Sequence, residues 1–340
     1  MPERRGAARQ GWKVAVMGVL LLVGVLLSFA WGRYPIAPDE VVGILGSRVF
    51  AVEPFWGERL ETVLINIRLP RVLLACMVGC SLSAAGAAYQ GIFQNPMASP
   101  DILGASAGAA FGAALAILLR APSPLITLSA FFFSLLTVGA VWLVSTRARG
   151  KRVLGLILSG IMVSSLLSAG TGFIKLVADP ADQLPAITYW LMGSLAGAKL
   201  SDVAFAALPM AIGLLPLLLL RWRINVLTLG DDEARTMGVH AGRLRVIIVL
   251  CATLITSAAV SVSGTIGWVG LVIPHLCRMM LGNNYRHLMP ASMLFGALFL
   301  LLVDNLARNL LQTEIPIGIL TAFIGAPFFL SLITRGEGHG

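Results

Sequence analysis

The chain has 340 residues, a mean hydropathy of +0.88 and only 12% charged residues, which excludes an ordinary soluble domain, where about a quarter of the residues are charged. The formal net charge is +9, but the basic residues lie singly or in small groups between apolar runs, a pattern that argues against a nucleic-acid partner. The composition predicts an all-α, polytopic membrane protein surrounded by lipid.

The N-terminus allows two interpretations. The basic segment "MPERRGAARQGWK" precedes an apolar run from Val14 to Trp31, and "SFA" before Trp31 resembles the cleavage site of a signal peptide. The run is nearly long enough to cross a bilayer, so we favour a first helix that is retained.

Apolar runs of about 20 residues recur along the chain and predict about ten transmembrane helices. The expected spans are 14–32, 61–91, 102–120, 124–146, 152–178, 201–221, 244–263, 266–281, 289–306 and 315–334. We interpret residues 1–340 as a single transmembrane domain whose membrane region extends from 14 to 334.

The distribution of basic residues predicts the orientation. With the N-terminus in the cytoplasm, 16 of the 25 Lys and Arg residues fall on cytoplasmic segments, including the cluster "RARGKR" at 147–152. Both termini are then cytoplasmic. Two polar stretches are then expected on the outer side of the membrane. In 33–60, "APDEVVGIL" predicts a short surface helix, and 179–200 is typical of a re-entrant or interfacial helix.

A stripe of glycines follows the second predicted span. Gly104, Gly108 and Gly112 lie four residues apart and therefore share one face of a helix. Such a stripe lets two helices approach closely in lipid, and it could instead line a wide central pathway. Close packing within the subunit is the interpretation we favour.

One polar segment, residues 230–243, interrupts the apolar pattern on the cytoplasmic side. Asp231 or Asp232 can cap a short helix, Glu233 suits its first turn, and Gly238 can end it in a left-handed conformation. A helix of about two turns is unstable alone in water, so it needs a surface on which to dock. It is either a solvated connector or a contact for a partner.

Other classes of function lack their signatures. An ion-coupled secondary transporter is the main alternative, but it would place ionisable residues at the membrane midplane, and the sequence offers almost none. An intramembrane enzyme would need a nucleophile with its base or a motif such as H-E-x-x-H, and neither occurs. The four cysteines lack the spacing of a zinc site, so no metal site is predicted, and no phosphate-binding loop is present.

Long motifs in both halves of the chain match one known family. The first half contains "IRLPRVLLACMVGCSLSAAGAAYQGIFQNPMASPDILGASAGA", and the second half contains "LGDDEARTMGV", "SGTIGWVGLVIPHLCRMMLG" and "EIPIGILTAFIGAPFFLSLI". In this order they resemble the permease subunit of type II ABC importers, which take up cobalamin, haem, iron-siderophores and, in some members, molybdate or tungstate. The resemblance covers nearly the whole chain.

The resemblance implies a ten-helix permease in the inner (cytoplasmic) membrane of a prokaryote, where it forms a homodimer and moves its cargo by alternating access. Two ATPase subunits, which bind the ATP and Mg, would dock on the cytoplasmic face, and a periplasmic or lipid-anchored binding protein would deliver the cargo. The chain itself would then be a transport subunit without a bound cofactor and not an enzyme. An iron-siderophore is the first choice of cargo because it is the commonest in the family.

The same resemblance assigns residues to three sites. The coupling helix that seats in the ATPase matches Asp231, Asp232, Glu233, Ala234, Arg235, Met237 and Gly238. The arginines that dock the binding protein match Arg68, Arg71 and Arg308. The cytoplasmic gate matches Asn95 and Met97 after the second span and Val153 and Leu154 at the start of the fifth. From the residues alone, the arginines could also reach the lipid headgroups, and Asp304 could pair with Arg308 inside the subunit.

Overall fold

A computed structural model describes residues 2–32, 34–48, 50, 53–147 and 152–336. These residues form fifteen α-helices, joined in two places by a turn of π-helix and a turn of 3₁₀-helix. The α-helices are α1 Pro2–Ala30, α2 Pro38–Gly46, α3 Glu58–Thr62, α4 Leu69–Ile92, α5 Ala105–Leu118, α6 Ser123–Arg147, α7 Arg152–Val177, α8 Gln183–Leu191, α9 Leu200–Leu219, α10 Arg221–Leu227, α11 Asp231–Thr236, α12 Ala241–Ser263, α13 Val269–Leu281, α14 Tyr285–Asn309 and α15 Ile317–Gly336.

The lengths of these helices confirm a polytopic, all-helical architecture. Within the described residues, seven helical stretches are long and apolar enough to cross a membrane, and three apolar helices, α5, α13 and the described part of α15, are shorter. Every predicted span overlaps one of these ten, while the number that crosses the bilayer stays a prediction. The surface helix expected in 33–60 is α2, and the helix expected in 179–200 is α8.

Two helices begin three residues later than the approximate spans, each because the backbone turns at a residue of positive φ. The third helix begins at Ala105 instead of 102, since Gly104 has a φ of 79° and separates it from a 3₁₀ turn, Pro100–Leu103. The eighth begins at Val269 instead of 266, since Trp268 has a φ of 69°. A positive φ interrupts the helix, and hydropathy does not report it.

Helix α4 lies at the centre of the subunit, and small residues let its neighbours approach its backbone. A Cβ atom at Gly86 would lie 1.7 Å from the carbonyl oxygen of Gly270 on α13, and one at Gly79 would lie 2.2 Å from that of Gly296 on α14. Only glycine permits such contacts, which replace the missing hydrophobic force between helices in lipid. By contrast, α1 and α7 are mostly exposed.

The glycine stripe packs α5 against α6. A Cβ atom at Gly108 would lie 2.2 Å from the hydroxyl oxygen of Thr137, and one at Gly112 would lie 2.6 Å from the carbonyl oxygen of Ser129. At both glycines the neighbouring helix therefore fills the space where a side chain would stand. This favours close packing within the subunit over the alternative of a pathway lining.

The polar segments gather at two opposite ends of the bundle. At one end, the amide of Gln94, after α4, donates to the carbonyl oxygen of Leu227 in α10, and Asn225 binds Asn284, before α14. We call this the inner end, following the orientation predicted from the basic residues. At the outer end, Arg68, before α4, meets the end of α1. Of the basic cluster 147–152, residues 148–151 lie outside the described residues.

Candidate coupling and docking sites

Helix α11 begins differently from the sequence expectation. Asp231 or Asp232 was expected to cap it, but the N-cap position belongs to Gly230, which has a φ of 127° and no capping side chain. Asp231 is already inside the first turn. Its carboxylate accepts hydrogen bonds from the guanidinium of Arg245 at 2.8 and 3.3 Å. The capping prediction was wrong because a residue on α12 takes the carboxylate.

The Asp231–Arg245 pair is unequally buried. The side chain of Arg245 is 8% exposed and that of Asp231 is 49% exposed. The hydrogen bond from Arg245 lowers the pKa of Asp231, more than its slight burial raises it. Asp231 is therefore ionised at neutral pH and fixes the start of α11 to α12. Sequence reasoning gave Arg245 no role, since only the fold places it beside Asp231.

The other end of α11 is closed by the backbone. Gly238 has a φ of 75°, as predicted, and the N–H of Val239 donates to the carbonyl oxygen of Ala234 at 2.8 Å. This is a typical left-handed helix ending. The side chain of Ala234 is fully buried, so it holds α11 on its own subunit and is not available to a partner.

The remaining coupling residues form an exposed surface on α11 and the residue after it. The side chain of Asp232 is 94% exposed and that of Arg235 is 73% exposed, and they face each other at 3.7 Å. Met237 is 51% exposed, and Glu233 is also exposed. The predicted coupling residues thus divide into two anchored side chains, Asp231 and Ala234, and a set free to contact another protein.

The three predicted docking arginines lie close to one another but are buried. Arg68, in the π-helical turn Val63–Arg68, donates to the carbonyl oxygens of Phe29 and Tyr34 and is 4% exposed. A π-turn places its side chain off the face that an α-helix would present. Arg68 thereby holds the end of α1 against the start of α4.

Arg71 and Arg308 belong to a buried ionic cluster. Arg71 donates from Nε to Asp304 at 2.8 Å and from Nη1 to both carboxylate oxygens of Glu314 at 2.8 and 2.9 Å. Arg308 lies 3.3 Å from the other oxygen of Asp304, as the sequence allowed, and donates to Ser28 at 3.1 Å. We call Arg71, Asp304, Arg308 and Glu314 the outer ionic cluster.

Within this cluster, Glu314 has the greatest access to water. Its side chain is 31% exposed, against 5% for Arg71, 10% for Arg308 and 0% for Asp304. Glu314 was missed by sequence reasoning, although it is an isolated acid between two apolar spans. All three arginines have partners inside the chain, so their role in docking stays a prediction.

The predicted gate residues lie in two places at the inner end. Asn95 and Met97 are exposed in the turn after α4, where the Asn95 side chain accepts from the Met97 N–H at 2.9 Å. At the start of α7, Val153 packs on the core while Leu154 is 55% exposed. Asn95 also borders a polar cavity of about 360 Å³ with Gln90, Gln94, Pro96, Thr228, Arg278, Asn283 and Tyr285. A role in gating stays a prediction.

No cluster of three or more His, Cys, Asp or Glu side chains in the described residues could hold a metal ion. The four cysteines are free thiols. The polar geometry therefore concentrates at the two ends of the bundle.

Known proteins match this chain along nearly its whole length. A model of the FecCD transport family matches residues 20–335. The molybdate import system permease protein of Haemophilus influenzae is 39% identical over 317 residues, which cover 93% of this chain and 94% of that protein. A protein of Helicobacter pylori named "probable iron chelatin transport system permease protein" is 44% identical over 279 residues, or 82% and 84% of the two chains.

A solved structure has the same architecture. It is described as a metal-chelate type ABC transporter in an inward-facing conformation, and it superposes with a TM-score of 0.86 at 37% identity. The superposition covers 96% of this chain and 99% of the other.

Proposed function

The chain belongs to the FecCD transport family, and we propose that it is the membrane-spanning permease of an ABC importer that carries a metal chelate into a prokaryotic cell. The observation that supports this most strongly is the extent of the match, from residue 20 to residue 335. The polar segment 230–243, which we call the coupling segment, and the outer ionic cluster both lie inside it. The alternative of an ion-coupled secondary transporter has no support from the relatives.

Iron bound to a siderophore is the cargo that we test first. A relative named for iron chelatin and one named for molybdate are 44% and 39% identical to this chain, so overall similarity does not select the cargo. A metal chelate suits a family whose solved structure is described as of the metal-chelate type. Haem, cobalamin and an oxyanion are the other members of the panel.

The proposed assembly is a homodimer with two ATPase subunits at the inner end and a binding protein at the outer end, in the inner membrane. ATP and Mg would be bound by the ATPases. The exposed residues Asp232, Glu233, Arg235 and Met237 would contact the ATPase, while Asp231 and Ala234 would keep α11 rigid on its subunit. A movement of the ATPase that displaces α11 would then displace α12 with it.

Docking of the binding protein would involve an exchange of partners at Arg71. Arg71 Nη1 donates to both carboxylate oxygens of Glu314, so an outside carboxylate would compete with Glu314 for that nitrogen. Because Glu314 is the most accessible member of the outer ionic cluster, its replacement would leave the buried Arg71–Asp304 contact intact. Electrostatic docking of this kind weakens with added salt.

Asn95, Met97 and Leu154 would narrow the exit of the pathway at the inner end. The first two lie on a turn fixed by the Asn95 side chain, and Leu154 is exposed in the first turn of α7. Val153, which packs on the core, would position α7.

Reconstitution tests the proposal. The chain is placed in proteoliposomes with the ATPase and the binding protein of the same transport system, and uptake is measured for an iron-siderophore, haem, cobalamin and molybdate. We expect uptake of one cargo that requires ATP, and none with an ATPase whose catalytic carboxylate is removed. Uptake that persists with the inactive ATPase would contradict the proposal.

A further inference from the structure

A second cavity at the inner end lies beside the coupling segment. Its lining differs from that of the polar cavity bordered by Asn95. It has a volume of about 370 Å³ and is bordered by Trp222, Arg223, His240, Arg243 and Ile247, among others. Its lining includes two guanidinium groups, an imidazole and an indole together with aliphatic side chains.

The two arginines have no acidic partner in the part of the chain that the structure describes. Neither Arg223 nor Arg243 lies within 4.0 Å of a carboxylate there, and both are exposed. Of the acids on α11, Asp231 binds Arg245 and Asp232 faces Arg235. Within the described residues, the cavity therefore carries two positive charges with which no carboxylate forms an ion pair.

The position of the cavity matches the boundary of a membrane. Helix α9 ends at Leu219, just before Trp222, and α12 begins at Ala241, just before Arg243. Arginine and tryptophan at the ends of spans are typical of the headgroup level. Below Arg243, the exposed residues Ile247 and Leu250 continue along α12, 44% and 64% exposed. They follow at intervals of four and three residues, so they extend the same face toward the bilayer.

We propose that this cavity binds one anionic phospholipid of the inner leaflet. Arg223 and Arg243 would bind the phosphodiester, Trp222 and His240 would flank the headgroup, and an acyl chain would lie along Ile247 and Leu250. The aliphatic continuation is why we assign a lipid and not a free phosphate. Basic pockets between spans on the cytoplasmic side are known to recognise such headgroups.

The site would also affect the coupling segment. Met237 and Gly238, which end it, border the same cavity. A bound lipid would therefore lie against the residues between α11 and α12 and would favour one position of α11. This consequence uses the orientation in the proposed function, but lipid binding itself can be measured without transport.

Native mass spectrometry of the detergent-purified full chain tests the site. Phosphatidylglycerol and phosphatidylcholine with identical acyl chains are titrated, and the ratio of their bound fractions is recorded. For Arg223→Gln with Arg243→Gln, we expect the preference for phosphatidylglycerol to fall about 30-fold, the effect of two basic residues near a membrane surface. The variant Arg223→Lys with Arg243→Lys should keep most of the preference, which separates loss of charge from loss of folding.

The matched control removes two charges at the same end but outside the cavity. Arg147→Gln with Arg286→Gln changes two exposed arginines that have no ion pair in the described residues. We expect less than a twofold effect. An equal loss in both double variants would overturn the proposal, since the attraction would then come from net charge alone.

Two further arms identify the ligand. The fluorescence of Trp222 is obtained in lipid nanodiscs as the difference between the parent and Trp222→Phe. Phosphatidylglycerol with brominated acyl chains should quench this fluorescence more than brominated phosphatidylcholine does. Soluble glycerophosphoglycerol, the headgroup without chains, should fail to displace the lipid at millimolar concentration. Displacement by it would overturn the assignment to a lipid.

Discussion

The pairing of Asp231 with Arg245 makes a prediction about how firmly the coupling segment is held. Replacing Asp231 with Asn removes the negative charge and leaves the guanidinium of Arg245, 8% exposed, without an ionic partner. Breaking a buried pair costs about 3–5 kcal/mol and breaking an exposed one about 0.2–1 kcal/mol. Since the Asp231 side chain is 49% exposed, we expect about 2 kcal/mol.

Hydrogen–deuterium exchange of the protein in lipid nanodiscs measures this free energy locally. The reporters are two amides at the end of α11, Gly238 N–H, bonded to Arg235 at 3.0 Å, and Val239 N–H, bonded to Ala234 at 2.8 Å. A local free energy of opening that falls by about 2 kcal/mol corresponds to exchange that is about 30-fold faster. The matched control is Asp232→Asn, whose side chain is 94% exposed and which should change exchange less than twofold.

The pH dependence follows from the direction of the pKa shift. The bond from Arg245 lowers the pKa of Asp231 below its ordinary value. The stabilisation is then complete above the ordinary carboxyl pKa of about 4 and is lost as the pH falls through the lowered value. Between pH 6 and 8 the difference between parent and Asp231→Asn should be constant, once intrinsic exchange is corrected for. Equal exchange in the two proteins would refute the anchoring role of the pair.

Three other predictions concern packing and contact. Asp304→Asn should destabilise the protein by about 3–5 kcal/mol, measured as a lower thermal midpoint in nanodiscs, because it leaves buried guanidinium groups without a counter-charge. Glu314→Gln should lower the midpoint less, since the Glu314 side chain is 31% exposed. Gly108→Val should reduce the folded yield because the new side chain meets α6, while Gly139→Val, where a Cβ meets nothing within 4 Å, should not. Met237→Lys should leave folding intact and reduce transport-coupled ATP hydrolysis in the reconstituted importer, as Met237 is 51% exposed beside α11; unchanged coupling would exclude it from the contact.

Hydropathy predicted the helices well because a bilayer requires long apolar runs, whatever the tertiary contacts are. Hydropathy did not locate the first residues of α5 and α13, because these are set by the positive φ values of Gly104 and Trp268 just before each helix. A positive φ at Trp268 is uncommon for a bulky residue, and no pattern of apolar residues encodes it.

The side-chain partners at the sites were beyond sequence reasoning for a different reason. Arg71 and Glu314 are separated by 243 residues, and only the approach of α4 to the end of α14 brings them together. The sequence allowed the local pairing of Asp304 with Arg308, but it could not show that Asp304 and Glu314 also hold Arg71. At α11, by contrast, Gly238 was predicted correctly because a left-handed helix ending is a local property.

The arrangement of α4 offers a physical link between the two ends of the bundle. Its first turn carries Arg71, in the outer ionic cluster, and Gln94, after its last turn, binds the backbone of α10 just before the coupling segment. Contacts at Gly79 and Gly86 leave no room for α4 to slide past α14 and α13 without displacing their backbones. Closely packed interfaces resist continuous deformation, so we infer that these three helices move as one body. A displacement of α11 would then shift the whole of α4 and move Arg71 with it. Such a rigid connection is required if events at the ATPase and at the binding protein are to be coupled.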